Sequence, residues 1–520
     1  MSAIDWEKTS PTTKMEKTSS DIAEGIVKIV QQADDKIILD KAELFLREHN
    51  YSHAYILSLL EDKIARKKLI RRIDFILMPL LCFTYLLQFI DKQALSFSAS
   101  FDLFTYTKVS LGQYSWLASI FYFAYLAAEW PASYLAQKYP TGTVISSFII
   151  IWGSILMLTA ACESFAGLAV CRFFLGCFEA VITPAFMMII GMWYSRKEQP
   201  ARAGVFFCCN GVAQMIAGLL FYGVGQAKGF PVWRIIFLLC GGVTIFWGVL
   251  LLFLLPNNII TAKRFSNEEK AMLIAQGQLN NTGIYNNTIK VAQIKEALGD
   301  IQIWLLFFFM LLNEVINGGY SNFATLLLKS IAGGNALKSS ALTVPGGAIQ
   351  ALFILSCGFF ASRFPDIRTI LMGLYVIPTM IGVVLLWKLD RSNTGGLLAG
   401  YYIAVSYTAS LVLGLQMPAT NVAGYTKRVT ATAMVFLAYC MGNIIGPHAF
   451  IASEAPQYPT GVKVIVSCGA GQIVISAILR YVLVRRNRER DAMHLSPLAA
   501  DEDILMDLTD FENPRFRYVL

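Results

Sequence analysis

The sequence predicts an all-α membrane protein of about twelve transmembrane helices in two six-helix halves. Three observations carry that prediction. Apolar runs of about 20 residues recur along the chain, the length needed to cross a hydrocarbon core about 30 Å thick. Of the 520 residues, 56% are hydrophobic and only 15% charged, at a mean hydropathy of +0.54; a water-soluble domain of this size carries far more charge. The runs do not alternate polar with apolar residues, so they read as helices rather than as barrel strands, the other structure that satisfies its backbone in lipid.

Residues 1–72 form a polar segment of mixed charge. Residues 1–60 have no short apolar core followed by a small-residue cleavage site, so no secretory signal peptide is expected, and insertion is expected to fall to the first span. The first half, 73–255, places spans at about 75–97, 113–136, 143–162, 166–191, 203–226 and 233–255. A polar linker, 256–300, follows. In it Ser266 and Glu269 stand as a capping box before an apolar run, which predicts a short surface helix. Asn280 and Asn286 each open an Asn-x-Thr sequon, which would matter only on the lumenal side. The second half, 301–485, places spans at about 301–325, 341–361, 368–387, 396–418, 429–451 and 463–484. The tail, 486–520, is polar and ends in an acidic-aromatic stretch that is expected to be mobile or loosely docked.

Basic residues fix the expected orientation. They cluster before the first span at Lys67, Lys68, Arg71 and Arg72, in the linker at Lys263, Arg264, Lys270, Lys290 and Lys295, and after the last span at Arg485, Arg486, Arg488 and Arg490. Both termini and the linker are therefore expected in the cytoplasm. The same clustering explains the net charge of +8 without a nucleic-acid partner. Ten cysteines, among them Cys82, Cys171 and Cys357, lie mostly in apolar runs and none at metal-ligand spacing, so they read as small buried side chains. No Walker lysine motif, G-x-S-x-G or H-E-x-x-H is present, which argues against ATP-driven transport and against an enzyme; no metal or organic cofactor is expected.

Ionisable groups inside the bilayer are costly, and those that persist usually face a cavity or a partner. Asp91 and Lys92 lie inside the first span. Either they form an ion pair at headgroup depth with Lys92 snorkelling outward, or Lys92 meets an anionic substrate and Asp91 carries a proton. Arg172 and Glu179 share one face of the fourth span, about 10 Å apart along the axis, too far to pair directly. Arg suits carboxylate recognition, and a desolvated carboxyl suits reversible protonation; a structural network bracing the half is the other reading. Glu129 could pair with Arg172 or Lys92 or act as a structural acid. Tyr122 and Tyr125 could offer hydroxyls to a carboxylate or simply pack. The second half is amide-rich instead: Asn313, Asn317, Asn322, Gln350, Gln416, Asn421 and Asn443 either glue helices together or bind substrate. Asn317 and Gln416 stand here as candidate substrate contacts. Glu314 and His448 read as peripheral.

Several stretches carry a resemblance. They are Phe89-Ile90-Asp91-Lys92, Gln113-Tyr114-Ser115-Trp116, Phe121 to Tyr125, Arg172 to Ala180 with Pro184, Asn317-Gly318-Gly319, Gly446-Pro447, and above all the tail from Leu508 to Tyr518. From about residue 60 onward the chain resembles the fungal allantoate permease family, a branch of the anion:cation symporters of the major facilitator superfamily. The resemblance implies two halves related by an axis along the membrane normal, with substrate between them near the midplane. It implies proton-driven uptake of a small organic anion by alternating access, at the plasma membrane or, as the alternative, at an internal membrane. It implies substrate binding by Lys92, Arg172 and Tyr125, and proton coupling by Glu179 and Asp91. Two departures stand out: many relatives carry Arg where this chain has Lys92, and Gln137-Lys138-Tyr139-Pro140 is a degenerate form of the superfamily's loop motif.

The leading expectation is a proton symporter for allantoate or a related ureido carboxylate, working as a monomer because one chain holds both halves. The alternative within the class is a carrier of nicotinate, pantothenate or another vitamin or monocarboxylate. The alternative from another class is a transport-dead nutrient receptor that signals through its N-terminal segment or its tail.

Overall fold

The computed structural model describes residues 45–46, 48–49, 51, 55, 62–195, 198–279, 290–364, 366–493 and 508–520. Both sequons, at Asn280 and Asn286, and residues 1–44 lie outside the described residues. Among the described residues, ten helices are long and apolar enough to cross a membrane. Two more, Leu111–Lys138 and Gln199–Val224, have 28 and 26 residues and complete the set of twelve.

The first half comprises α1 (Lys63–Ser100), the short α2 (Leu103–Thr107), α3 (Leu111–Lys138), α4 (Thr141–Thr159), α5 (Phe165–Glu179), α6 (Ile182–Trp193), α7 (Gln199–Val224) and α8 (Val232–Leu254). The linker holds α9 (Asn267–Leu279) and α10 (Val291–Gly299). The second half comprises α11 (Ile301–Ile331), α12 (Ala336–Arg363), α13 (Arg368–Leu374), α14 (Ile377–Lys388), α15 (Thr394–Ile403), α16 (Tyr407–Asn421), α17 (Tyr425–Ile445) and α18 (Pro459–Asp491).

Several spans differ in detail from the sequence expectation. The basic run before the first span is helical rather than a flank. Asp62 caps α1 by accepting from Ile64 N at 2.8 Å, and the helix continues through Arg72. The fourth span is two helices, α5 and α6, and the ninth is α13 and α14. Each break follows from a proline just beyond it. Pro184 and Pro378 have no N–H to offer the carbonyls of Ala180 and Leu374, so the helical bond that would bridge each junction is missing.

The linker divides between the halves. The capping box holds as expected: Ser266 N donates to Glu269 at 2.9 Å and Glu269 N to Ser266 Oγ at 3.2 Å. Arg72 then ties α9 to the first half by donating to both Glu269 oxygens, at 2.8 and 3.0 Å, and to Arg264 O at 2.7 Å. In contrast, α10 docks on the second half, where Gln293 Oε1 accepts from Thr426 N and Lys427 N at 3.0 and 3.2 Å.

Residues 508–520 are not loosely docked. Val519 N donates to Asn421 Oδ1 and Asn421 Nδ2 to Val519 O, both at 2.8 Å, and Asn487 holds Tyr518 in the same reciprocal way. Asp510 lies 2.7 Å from the fully buried Lys427, which also meets Asp300 and Glu296 at 3.2 and 2.9 Å. Composition marks this segment as polar, yet side chains of the helix ends satisfy its backbone groups. The turn that delivers Lys427 to this cluster needs a glycine: Gly424 has φ +82°, and a Cβ there would lie 3.0 Å from Thr509.

The halves meet along α7 and α12, α1 and α11, and α3 and α17. At the end away from the linker they are hydrogen-bonded to each other. Ser96 Oγ lies 2.8 Å from Thr325 Oγ1 and donates to Asn322 O at 2.9 Å. Tyr114 OH donates to the same carbonyl at 2.7 Å, and Ser119 Oγ to Ile444 O at 2.8 Å. These bonds close that end of the space between the halves.

Candidate functional site

Between the halves lies a cavity that draws residues from both. From the first half come Gln88, Lys92, Tyr122, Tyr125, Arg172, Asn210 and Gln214; from the second come Asn317, Asn322, Gln350, Tyr401, Tyr407 and Tyr439. Both walls thus bear amides and phenols, and the cations are on the first-half side.

The cations are held by close helix packing. On α5, Gly176 lies against α3, where a Cβ would come within 2.2 Å of Phe121 O. That approach turns Arg172 and Glu179, on the same helix face as Gly176, toward the middle of the half. Glu179, fully buried, pairs with Lys92 at 3.0 Å. Lys92 keeps 25% of its side chain accessible, and its Nζ sits 5.6 Å from the ring centroids of both Phe121 and Tyr125. Arg172 is 5% exposed, and its Nη2 is buried without a hydrogen-bond partner. The guanidinium keeps its charge and has a donor to spare in a nearly dry wall, chemistry suited to a carboxylate acceptor.

The sequence places Arg172 and Glu179 too far apart to pair, and each finds its setting on another helix: Glu179 on α1, Arg172 at the cavity wall. Lys92 and Tyr125 stand beside them. Asn317 also lines the cavity, and its amide donates to Glu314 Oε2 at 3.0 Å and Asn443 Oδ1 at 2.9 Å, while Tyr407 OH donates to its Oδ1 at 3.0 Å. Asp91 faces away from the cavity, toward α8, where it accepts from Thr244 Oγ1 at 2.9 Å. Gln416 does not line the cavity; the neighbouring Leu415 does. Glu129 lies one turn past Tyr125 on α3, half-buried, and among the described residues it makes no ion pair with Arg172 or Lys92.

The reading of Glu314 as peripheral is overturned. It lies in the middle of α11, fully buried, where it accepts from Asn443 Nδ2 at 2.6 Å as well as from Asn317. It falls inside the span expected at 301–325, and the helix runs on past it for almost five turns. His448, in contrast, is exposed and meets Ser119 Oγ at 3.1 Å. Sequence reasoning passes over Asn210 and Gln214; their i, i+4 spacing within the fifth span was the available signal.

Comparison with known proteins agrees with this architecture. Residues 81–447 match the Major Facilitator Superfamily. An uncharacterized transporter of Schizosaccharomyces pombe is 33% identical over 88% of this chain and 90% of its own length. The allantoate permease of Saccharomyces cerevisiae is 30% identical over 100% of this chain and 98% of its own length. Among solved structures, the xylose transporter XylE from E. coli superposes with a TM-score of 0.57 at 12% identity, covering 78% of this chain and 96% of that one. With twelve spans among its described residues and the cavity between its halves, the chain belongs to the Major Facilitator Superfamily, as a transporter of the branch that holds the allantoate permease.

Proposed function

We propose that the chain is a proton-coupled symporter that imports a small organic anion, with allantoate or a related ureido carboxylate as the leading substrate. The observation that carries this reading is the pair of cations on the cavity wall, Lys92 and Arg172, one bound to a buried carboxylate and the other with an unused donor. The identity to the yeast allantoate permease along the whole chain favours a ureido carboxylate over other anions.

Charge balance suggests how proton and anion travel together. In the empty site Glu179 neutralises Lys92. A substrate carboxylate that bridges Lys92 and Arg172 takes the place of Glu179 at the ammonium. An ionised Glu179 left behind in a dry wall would be a buried, unpaired charge, which is strongly destabilising. Taking up a proton removes that cost, so the anion enters with a proton and both leave together. Tyr125 packs against Lys92 and fixes its position. Asp91, bonded to Thr244 behind the cavity, is the second candidate acid. The linker side is taken as cytoplasmic, from the basic residues gathered there, and the membrane as the plasma membrane, with the chain acting as a monomer.

Uptake of radiolabelled allantoate by cells expressing the chain tests the reading, at about pH 5 and about pH 7.5, the range over which tuned carboxyls titrate. Nicotinate, pantothenate and ureidosuccinate serve as competitors. Saturable uptake that rises at acid pH and collapses with a protonophore supports symport, and the best competitor ranks the substrates. Absence of uptake of all four by protein shown to be at the cell surface defeats the reading and favours a nutrient receptor.

A further inference from the structure

Glu314 is a buried carboxyl to which the scheme above gives no task. Its Oε2 receives two amide N–H groups, from Asn443 at 2.6 Å and from Asn317 at 3.0 Å, and its Oε1 has no hydrogen-bond partner. The enclosure is built by close contact of α11 with α17. A Cβ on Gly442 would fall 2.5 Å from Glu314 Cβ and 2.6 Å from Leu311 O, and one on Gly318 would fall 2.8 Å from Asn443 Cα. Hydrogen bonds then lead from this pocket to the cavity, through Asn317 to Tyr407, both of which line it. The titratable groups whose fields couple to Glu314 are Lys92 and Tyr85 from α1, Tyr122 from α3, Tyr407 from α16, and Tyr439 and Cys440 from α17. From α18 comes the uncharged Gln472, bonded to Asn313 at 3.0 Å.

Resting on the proton-coupled reading above, we propose that Glu314 is a second proton-binding site, and that a proton there releases the Asn317 amide to an acceptor oxygen of the substrate remote from its carboxylate. While Glu314 is ionised, its bonds from Asn317 and Asn443 are charge-assisted, roughly twice as strong as bonds between neutral groups, and they hold the Asn317 amide against α11. The proton, taken from solvent, neutralises the carboxylate, and no other covalent bond is made or broken. With the charge-assisted bond weakened, the Asn317 amide can exchange its bonds to Glu314 and to Asn443 Oδ1 for one aimed into the cavity, on the wall opposite Lys92 and Arg172. Proton and substrate therefore favour each other's binding, as linkage requires. The substrate class that uses both walls has a carboxylate at one end and a carbonyl or ureido oxygen at the other.

Two measurements test this. Infrared difference spectra of the purified full-length protein, without substrate, are recorded between about pH 5 and about pH 8, a range that includes buried carboxyls. The expected result is a titrating carboxylic C=O band that is absent from Glu314→Gln; superimposable spectra overturn the proposal. If Glu314→Gln does not reach the membrane, Glu314→Asp keeps the carboxyl and must shift the band, and an unmoved band likewise overturns it. In uptake assays with allantoate, Glu314→Gln imitates the protonated state. Its KM at neutral pH should fall about threefold to tenfold, the worth of one hydrogen bond, and its pH dependence should weaken to the part that Glu179 supplies. A KM that still follows pH as in the wild type defeats the coupling. Wild-type uptake indifferent to pH would instead sink the symport reading, while the infrared titration, which uses no substrate, is read independently.

Discussion

At the scale of single residues, the candidate site is a small charge ledger whose members have different geometry. Arg172 presents a planar fork and Lys92 a point charge. Arg172→Lys keeps the charge but loses the second parallel bond to a carboxylate, so KM for the anion should rise about tenfold with little change in maximal rate. Glu179→Gln should sharply reduce uphill accumulation yet leave exchange of internal for external substrate intact, because a neutral side chain at 179 no longer has to gain or lose a proton. Counterflow from preloaded vesicles compares the two variants, and a Glu179→Gln that still concentrates substrate as fully as wild type would remove Glu179 from coupling. Lys92, Arg172 and Glu179 were legible from sequence because charge inside an apolar run stands out. Glu314 was not: it fell within the expected span 301–325, but nothing along the chain shows what a mid-span carboxyl packs against. Only the close approach of Gly442, from more than a hundred residues away, reveals that Glu314 is dry.

At the scale of helices, the seams depend on small residues that length and hydropathy do not register. Replacing Gly442 by Leu forces α17 away from α11, where the backbone of Leu311 already lies within contact distance. Overpacking of this kind costs about 1–3 kcal/mol, so the purified variant should unfold at lower temperature than wild type. Gly223, whose Cβ would meet nothing within 4 Å, should tolerate Ala with no measurable shift. The spans themselves were readable from run length. The breaks at Ala180 and Leu374 were not, although Pro184 and Pro378 were in plain view, because membrane helices often tolerate proline without breaking.

At the scale of the whole molecule, the second half is completed from outside the bundle. Lys427 is enclosed by carboxylates from α10, from the start of α11 and from the tail, and Asp300 is also held by Arg486 at 2.7 Å. Removing one member of a buried ionic cluster leaves the others uncompensated, at a cost of about 3–5 kcal/mol. Lys427→Met should therefore lower thermal stability sharply, whereas Arg485→Ala, which breaks only the exposed pair with Glu489, should stay within about 0.5 kcal/mol. Unfolding of the purified variants in detergent separates the two. Neither the tail's docking nor this cluster could be read along the chain, since its members span residues 296 to 510 and each looks like ordinary surface charge.

The place of Asp510 in that cluster bears on how the protein is made. Synthesis runs from the N-terminus, and 83 residues separate Lys427 from Asp510 (510 minus 427). At about 5–20 residues per second, the nascent chain spends roughly 4–17 seconds with Lys427 already made and its tail partner not yet translated. During that interval the buried ammonium has only the linker-side carboxylates as counter-ions. A message cut short just before codon 508 would still encode the twelve spans but leave this part of the charge cluster exposed, so the segment 508–520 is what closes the second half over Lys427.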